Sequence, residues 1–457
     1  MNIYISGISG TGLGPLALMS KEAGIGVSGS DTQEGAVTGE LVAAGIEMQT
    51  GAEAQNGDFL QKQFDAGKVD WFVYTSALPE DHSELVLARK LGLRISKRDE
   101  LIAYLVEKMD LNMVAVAGTH GKTTTTAMIV YTALCLGLPI SYLVGTTLSF
   151  AESGSYDPRS KFLVYEADEY DRNFLRFFPW LAVITTVSYD HPDIYKTKLE
   201  YLQAFAKFEG QSERVIRGRE IEAKSVDEDT ADTFDFSDKF SLAGEVRRYD
   251  ANLAMQAIFE MVEEVDMTHA NKPLIKISEA TGGNEISYEG RPINEALLIE
   301  ILDSFPGVGR RFERICDGVY SDYGHHPEEI AATIGVASEE AKRLGKKGVV
   351  AIYEPHQNVR QHEVFNGYKS AFLGTDKLYW LPTYLVREDP ALKILTPSDF
   401  IESLDNKEIG EAAEMGPSLA KNLRGLRDDG YLILLMTAGP ADEWLRNVFT
   451  KKGDSND

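Results

Sequence analysis

The chain has little cysteine, a deficit of positive charge and no long apolar run. Its 457 residues include two cysteines, Cys135 and Cys316, which is too few for a disulfide-stapled scaffold. Lys and Arg number 46 against 71 Asp and Glu, and the net charge of −25 argues against general binding to nucleic acid or to an anionic membrane. No apolar stretch approaches the roughly 20 residues that span a bilayer. The opening Met-Asn-Ile-Tyr-Ile-Ser lacks the charged leader and apolar segment of a signal peptide.

These absences predict a cytoplasmic protein that does not insert into a membrane and that acts on small molecules. Hydrophobic residues make up 43% of the chain, so large cores can form. At about 150 residues per domain the length suggests three domains. We place them at 1–110, 111–304 and 305–457, each with glycine-rich turns between apolar strands and helices. The sequence leaves a monomer and a homodimer open.

The most informative segment joins an apolar run at 113–117 to a helical pattern that ends near Leu136. Between them lie Gly118, Thr119, His120, Gly121, Lys122, Thr123 and Thr124. Such a loop aims backbone N–H groups at phosphate, with a lysine as cation and a threonine hydroxyl for Mg²⁺. The common P-loop spacing would place a glycine at position 116, where this chain has Val116. A plain glycine turn is the alternative, but strand, loop, Lys-Thr and helix in register favour an enzyme that uses ATP.

A second glycine loop opens the chain. The strand-like Ile3-Tyr-Ile-Ser leads into a loop that contains Gly7, Gly10 and Gly12, and a second short strand ends at Ser30 and Asp31. In a dinucleotide enzyme such an acid would hold ribose, so NAD is a possible ligand. The glycine spacing is not G-x-G-x-x-G, which favours a different nucleotide diphosphate.

Two polar groups follow apolar strands of the predicted central domain. Glu166 ends the strand 162–166, and His191 follows the strand 180–186. Because ligands gather at the carboxyl ends of parallel strands, we expect both residues to lie near Gly118. The alternatives are that Glu166 pairs with a base and that His191, before a proline, is a turn residue.

The third domain carries a further set of polar residues near predicted strands. They are Arg311, Asp322, His325 and Arg360. The alternatives are that His325 and His326 cap the helix that follows them, and that Arg360 is a solvated charge at a helix start. Pro306, Gly307 and Gly309 fit a hinge before this domain.

The ordered set of motifs resembles the Mur ligases of peptidoglycan synthesis over nearly the whole chain. The motifs are Gly7-Ile-Ser-Gly-Thr-Gly12, Gly29-Ser-Asp31, Ala117 to Thr126, Glu166-Ala-Asp-Glu169, Asp190-His191, Gly309-Arg-Arg-Phe312, Asp322-Tyr-Gly-His-His-Pro327 and Pro355-His356. The resemblance implies three α/β domains: a Rossmann-like N-terminal domain for a UDP-sugar, a central P-loop domain for ATP and a Rossmann-like C-terminal domain for the amino acid.

The resemblance also implies a reaction. The lactyl carboxylate of UDP-N-acetylmuramate attacks the γ-phosphate of ATP, and an amine captures the acyl phosphate. L-alanine is the expected amine. The alternatives are a recycling ligase that attaches a preformed tripeptide and a non-catalytic protein of the same fold that binds UDP-sugar or ATP.

Residue roles follow by the same resemblance. Lys122 would bind the β- and γ-phosphates of ATP. Thr123 and Glu166 would hold Mg²⁺, and His191 would hold a second metal ion, for which Mn²⁺ could substitute. Arg311 would contact ATP phosphate, Asp322 the nucleotide, and His325 with Arg360 the sugar–peptide end. Uridine and pyrophosphate would be held at Gly10, Gly12, Ser30, Asp31 and Ser76. The family's His-Asn pair at adenine is absent here and Gln357 replaces its arginine after Pro-His, so the adenine contacts and the choice of amine stay open.

Overall fold

The computed structural model describes residues 1–75, 78–191, 194–218, 235–268, 275–278, 285–288, 291–385 and 388–450. The chain forms two compact units. One contains residues 1–240 and 250–306, and the other contains residues 241–249 and 307–457. After the short segment 241–249, the chain passes to the second unit for the last time between Pro306 and Gly307, inside the segment predicted to be a hinge.

The first unit begins with alternating strands and helices. They are β1 Asn2–Ser6, α1 Gly14–Glu22, β2 Gly26–Asp31, α2 Thr38–Ala43, β3 Glu47–Thr50, α3 Asp58–Asp65, β4 Trp71–Tyr74, α4 Ser83–Lys90, β5 Arg94–Lys97 and α5 Arg98–Lys108. The strands form a parallel sheet in the order β3-β2-β1-β4-β5. Strand order reverses between β1 and β4, where open α/β sheets hold ligands. The glycine loop after β1 therefore lies at the expected binding edge.

A second sheet follows in the same unit. Its elements are β6 Asn112–Ala117, α6 Lys122–Leu136, β7 Ser141–Leu143, β8 Gly154–Ser155, β9 Phe162–Glu166, β10 Leu181–Ile184, α7 Lys198–Gly210 and β11 Arg214–Arg217. The order is β11-β10-β6-β9-β7-β8, parallel except for the pair β7 and β8. Because β6 lies between β9 and β10, the carboxyl ends of all three strands meet at one edge. The unit also contains α8 Glu245–Thr268 from residue 250 onward, the antiparallel strands β12 Ile275–Ser278, β13 Glu285–Tyr288 and β14 Arg291–Ile293, and α9 Glu295–Asp303.

The two large sheets of the first unit share one apolar core. A single buried cluster includes Ile5 of β1 and Leu163 of β9. A polar contact also joins them, because both the backbone N–H and the hydroxyl of Ser153 donate to Glu40 Oε2, at 2.8 and 2.6 Å. The shared core explains why two sheets form one compact unit.

The second unit is a mixed α/β sheet with helices on both faces. Its elements are β15 Glu313–Cys316, β16 Val319–Asp322, α10 Pro327–Arg343, β17 Val349–Glu354, α11 Asn358–Val364, β18 Lys377–Trp380, α12 Pro397–Ile401, β19 Gly410–Ala412, α13 Pro417–Asp428, β20 Leu432–Thr437 and α14 Ala441–Thr450. The order is β15-β16-β20-β17-β18-β19, and only β15 pairs antiparallel. Trp380 stacks on Phe400 with ring centroids 4.8 Å apart, which anchors one of the two cores.

The predicted α/β class is therefore confirmed. The functional domain boundaries at 110 and 304 stay a prediction. Within the described ranges, no helix combines the length and the apolar character needed to cross a membrane.

Candidate functional site

The loop between β6 and α6 has a backbone that only glycine adopts readily. Gly118 has φ +142° and Gly121, the residue before the helix, has φ +84°. A Cβ at Gly121 would lie 2.6 Å from Oδ1 of Asp250, so the loop also has no room for a side chain there. Both glycines of Gly-Thr-His-Gly are therefore required by the fold of the loop.

Hydrogen bonds to the end of β10 hold this loop. The N–H groups of Thr119 and His120 donate to the carbonyl and the hydroxyl of Thr186, at 2.8 and 3.0 Å. The Thr119 hydroxyl donates to the carbonyl of Ser188 at 2.8 Å. The N–H groups of the first turn of α6, Lys122 to Thr124, have no acceptor one turn earlier in the helix. They are the groups that the loop presents to an anion.

Lys122 lies under the loop as a partly buried ammonium group, with its side chain 15% exposed. Its Nζ is 2.5 Å from the Gly118 carbonyl and 2.8 Å from Oε2 of Glu169. Burial favours the neutral amine, but attraction from Glu169 and Asp168 outweighs it and raises the pKa of Lys122 above its usual value. Lys122 therefore places an ammonium group, paired with Glu169, beside the first turn of α6.

Glu169 is a residue that the sequence analysis did not select. Its side chain is 1% exposed, and it links Lys122 to His191, whose Nε2 lies 3.7 Å from Glu169 Oε1. The hydroxyl of Tyr195 donates to the Glu169 carbonyl at 2.7 Å. Glu169 belongs to the motif Glu166-Ala-Asp-Glu169, but only Glu166 lies at the end of the strand, where ligand-binding residues are expected.

The structure brings Thr123 and Glu166 together. The Thr123 hydroxyl donates to Oε1 of Glu166 at 2.7 Å, and the N–H of Gly145 donates to Oε2 at 3.3 Å. Two hard oxygen atoms at this separation fit Mg²⁺, whose neighbouring oxygen ligands at roughly 2.1 Å lie about 3 Å apart. The residues present therefore suit a magnesium ion. His191 contacts Glu169 and Asp190, so its predicted place in a metal site stays a prediction.

Backbone strain is concentrated around Glu169. Asp171, Arg172 and His191 all have positive φ, at +53°, +58° and +57°. Left-handed conformations of non-glycine residues cost energy and persist where surrounding contacts enforce them, often at functional sites. The strain here coincides with the predicted site residues at the ends of β9 and β10.

The first glycine loop, which follows β1, is hydrogen-bonded to the end of β2. The N–H groups of Gly7 and Ile8 donate to the Ser30 carbonyl at 2.8 and 3.1 Å, and that of Ser9 donates to Oδ2 of Asp31 at 2.9 Å. Asp31 therefore shapes the loop. Ser30 is fully buried, and its hydroxyl donates to Glu84.

The rim of this loop is open. Gly10 and Gly12 are exposed, and a Cβ at Gly12 would lie 3.0 Å from Nη1 of Arg98. The loop thus has a guanidinium beside it, from a residue that the sequence analysis did not select. Ser76 lies outside the described residues. The predicted contacts of Gly10, Gly12, Ser30, Asp31 and Ser76 with a nucleotide stay predictions.

In the second unit, Asp322 holds the loop that contains Arg310, Arg311 and Phe312. It is 7% exposed, and it accepts hydrogen bonds from the N–H of Phe312 and of Gly324, both at 2.7 Å. Burial raises the pKa of Asp322, although Arg311 opposes the shift. Arg310 and Phe312, which flank Arg311, have φ +56° and +49°. The predicted roles of Arg311 and Asp322 toward ATP stay predictions.

His325 and His326 differ in their contacts. His326 caps α10 and accepts from the Glu328 N–H at 3.4 Å, which matches the helix-cap alternative. His325 instead lies 2.6 Å from Nη1 of Arg360 through Nε2 and 3.1 Å from the Tyr323 carbonyl through Nδ1. A guanidinium can only donate, so Nε2 must be the acceptor and Nδ1 must carry the proton. His325 and Arg360 therefore form a hydrogen-bonded pair with a neutral imidazole, and their predicted role at the sugar–peptide end stays a prediction.

This pair predicts a pH effect on stability. Burial, opposed by Glu329 and reinforced by Arg360, lowers the pKa of His325 to about 4, against about 6.5 in an unfolded chain. The unfolded state therefore binds more protons between these values, and His325 costs about 2 kcal/mol of stability at pH 5 relative to pH 7. In chemical denaturation at both pH values, His325→Gln should lose less stability on acidification than the unsubstituted protein. Equal losses would show that His325 does not carry the effect.

Comparison with known proteins agrees with this arrangement. Residues 2–109 match the model of the Mur ligase family, catalytic domain, and residues 116–216 match that of the Mur ligase middle domain. The UDP-N-acetylmuramate–L-alanine ligase of Campylobacter curvus is 31% identical over 404 residues, 85% of this chain and 86% of that one. The ligase of the same name from Rubrobacter xylanophilus is 30% identical over 447 residues, 94% and 95% of the two chains.

Solved structures show the same fold. The crystal structure of UDP-N-acetylmuramate-alanine ligase from Thermotoga maritima has a TM-score of 0.71 at 22% identity, with 98% of each chain covered. A murein peptide ligase from Psychrobacter arcticus has a TM-score of 0.59 at 20% identity, again with 98% of each chain covered. The family resemblance of the sequence motifs is thus confirmed, and the chain belongs to the Mur ligase family.

Proposed function

We propose that the chain is an ATP-dependent, ADP-forming ligase that joins L-alanine to the lactyl carboxylate of UDP-N-acetylmuramate. The observation that carries the proposal is the cluster at the loop of β6 and α6. There a partly buried ammonium, Lys122, and an oxygen pair, Thr123 and Glu166, lie beside the first-turn N–H groups of a helix. The proposed substrates are those in the names of relatives that are about 30% identical to this chain over most of its length.

The chemistry proceeds in two displacements. A carboxylate oxygen of UDP-N-acetylmuramate forms a bond to the γ-phosphorus of ATP while the bond to the ADP oxygen breaks, which leaves an acyl phosphate. The amine nitrogen of alanine then attacks the acyl carbon, inorganic phosphate leaves and the nitrogen loses a proton. Phosphoryl transfer of this kind depends on positioning and on neutralising charge.

The residues of the chain fit these needs. Lys122 and the first-turn N–H groups of α6 would neutralise the β- and γ-phosphates, and Thr123 and Glu166 would hold Mg²⁺. When bound, the metal supplies positive charge to the phosphate oxygens. Glu169 orients Lys122 and His191 through its two carboxylate oxygens. By resemblance, Arg311 and Asp322 serve ATP, and His325 with Arg360 serves the sugar–peptide end.

The sugar nucleotide would bind at the first glycine loop. Backbone N–H groups of the loop and the guanidinium of Arg98 suit a diphosphate, and the loop lies at the β1/β4 switch point of its sheet.

One assay tests the proposal. ADP release is measured with ATP, Mg²⁺ and UDP-N-acetylmuramate in the presence of L-alanine, L-serine, glycine or the tripeptide. We expect L-alanine to give the highest kcat/KM and release to depend on both the sugar nucleotide and the amine. Preference for the tripeptide would assign the chain to the recycling reaction. ADP release that does not respond to UDP-N-acetylmuramate would refute the proposed substrate.

A further inference from the structure

Glu84 is a fully buried carboxyl group that the proposed chemistry does not use. It is the second residue of α4, and its side chain is 0% exposed. Three hydroxyl groups donate to it: Tyr4 to Oε1 at 2.6 Å, Ser6 to Oε2 at 2.6 Å and Ser30 to both oxygens at 2.8 Å. A buried carboxyl group needs such partners, because an unsatisfied one is costly.

Two of the partners of Glu84 lie at the ends of neighbouring strands. Ser6 is the last residue of β1 and is followed by the glycine loop, while Ser30 comes directly before Asp31 at the end of β2. The Nε2 group of Gln55 also donates to the Ser6 hydroxyl at 3.1 Å. One side chain from α4 therefore fixes the spacing of the two strand ends that bear the loop and its acid.

Hydrogen bonds from the backbone of the glycine loop connect it to the end of β2. The Ser30 carbonyl accepts hydrogen bonds from Gly7 and Ile8, and Asp31 accepts from Ser9. A displacement of Ser30 would therefore shift the backbone that leads to the exposed residues Gly10 and Gly12. Glu84 lies beneath the binding edge without reaching it.

Packing alone does not account for this choice of residue. Burial raises the pKa of Glu84, although the three hydroxyl groups oppose the shift, so the site costs free energy that an apolar side chain would avoid. The position in the first turn of α4 offsets part of that cost, since the helix N-terminus favours negative charge. A leucine at this position could fill the same space, but it could not accept the hydrogen bonds that fix the orientation of the Ser6 and Ser30 side chains.

We propose that Glu84 is a positioning residue for the sugar-nucleotide loop, and that its hydrogen bonds to Ser6 and Ser30 hold the loop in the form that binds the diphosphate of UDP-N-acetylmuramate. This inference rests on the proposed function. It predicts that Glu84 governs affinity for the sugar nucleotide and leaves the handling of ATP unchanged.

The test compares Glu84→Leu and Glu84→Gln with a matched control. Glu340→Gln is the control, since Glu340 is a buried glutamate of the second unit that accepts from the Tyr320 hydroxyl at 2.9 Å. Calorimetry with UDP-N-acetylmuramate alone gives Kd, and kinetics give KM for each substrate. We expect Glu84→Leu to raise Kd and KM for the sugar nucleotide about 10-fold or more. Glu84→Gln, which keeps one acceptor oxygen, should have a smaller effect, and kcat and KM for ATP should match the control in both variants.

Each outcome supports or overturns the positioning role. A folded Glu84→Leu protein with unchanged Kd, or one whose kcat and KM for ATP change along with the sugar affinity, overturns it. If Glu84→Leu does not fold, Glu84→Gln and Ser6→Ala decide the question, since the first replaces one acceptor oxygen by a donor and the second removes the hydroxyl that donates to Glu84 Oε2. If the unsubstituted protein binds UDP-N-acetylmuramate but does not release ADP, the proposed reaction fails while calorimetry still tests Glu84. If it does not bind the sugar nucleotide, the proposed substrate and this inference fall together.

Discussion

Replacement of Lys122 by methionine is expected to lower kcat by on the order of 10²-fold or more and to leave the Kd for UDP-N-acetylmuramate within roughly 3-fold. The ammonium group lies beside the first turn of α6, where it would neutralise the transferred phosphate. The sugar-nucleotide loop follows β1 in a different sheet, so losing Lys122 removes no contact from it. Steady-state ADP release and calorimetry with UDP-N-acetylmuramate measure the two quantities.

A structural cause must be separated from a catalytic one. Lys122→Met leaves Glu169 buried without its cation, and breaking a buried pair in this way costs on the order of 3 kcal/mol. The double variant Lys122→Met with Glu169→Gln removes that stranded charge. We expect the double variant to recover thermal stability but not activity.

The control for both proteins is Lys68→Met, an exposed lysine of the first sheet region paired with Glu47. It should behave as the unsubstituted protein in stability, activity and binding. Recovery of activity in the double variant would show that Lys122 acts only by supporting the fold. Loss of sugar-nucleotide affinity in Lys122→Met would show that the two loops are not independent.

The sequence predicted elements well where periodicity and turn residues agree. The helical pattern expected to end near Leu136 is α6, Lys122–Leu136, and the strand expected at 162–166 is β9. The loop with Gly118 and Gly121 could also be predicted, since the required positive φ angles leave glycine as the suitable residue. Thr123 and Glu166 could be expected to meet because parallel strands share an edge.

Glu169 could not be assigned in the same way. It follows β9 in an irregular turn before the 3-10 helix Tyr170–Arg176, where side-chain direction has no fixed period. Two residues with positive φ, Asp171 and Arg172, redirect the chain there. The burial of Glu169 against Lys122 is therefore a property of the assembled site.

Ser30 illustrates a second limit. Strand alternation shows that successive side chains face opposite sides of a sheet, but not which helix covers each side. The hydrogen-bond partner of Ser30 is Glu84, which lies 54 residues later in the chain, in α4. Likewise, the shared core of the first two sheets depends on contacts such as Glu40 with Ser153, which are 113 residues apart. Such long-range packing has no local signal.

The oxygen pair of Thr123 and Glu166 leads to the second large expected effect. Glu166→Gln should lower kcat by on the order of 10²-fold or more at saturating Mg²⁺, and it should raise the Mg²⁺ concentration for half-maximal rate by about 10-fold. The reason is that a neutral amide keeps the shape of the side chain but removes the negative charge that attracts a hard cation. The Thr123 hydroxyl would still have an oxygen acceptor, so the loop should keep its fold.

The measurement is the rate of ADP release over a range of free Mg²⁺, together with the thermal midpoint of each protein. Glu152→Gln serves as the control, since it is an exposed acid in the same sheet region and lies outside the phosphate loop. It should show the Mg²⁺ dependence of the unsubstituted protein. If Glu166→Gln instead shows that same dependence while kcat falls, Glu166 acts by orienting Thr123, through the 2.7 Å hydrogen bond, rather than by holding the metal.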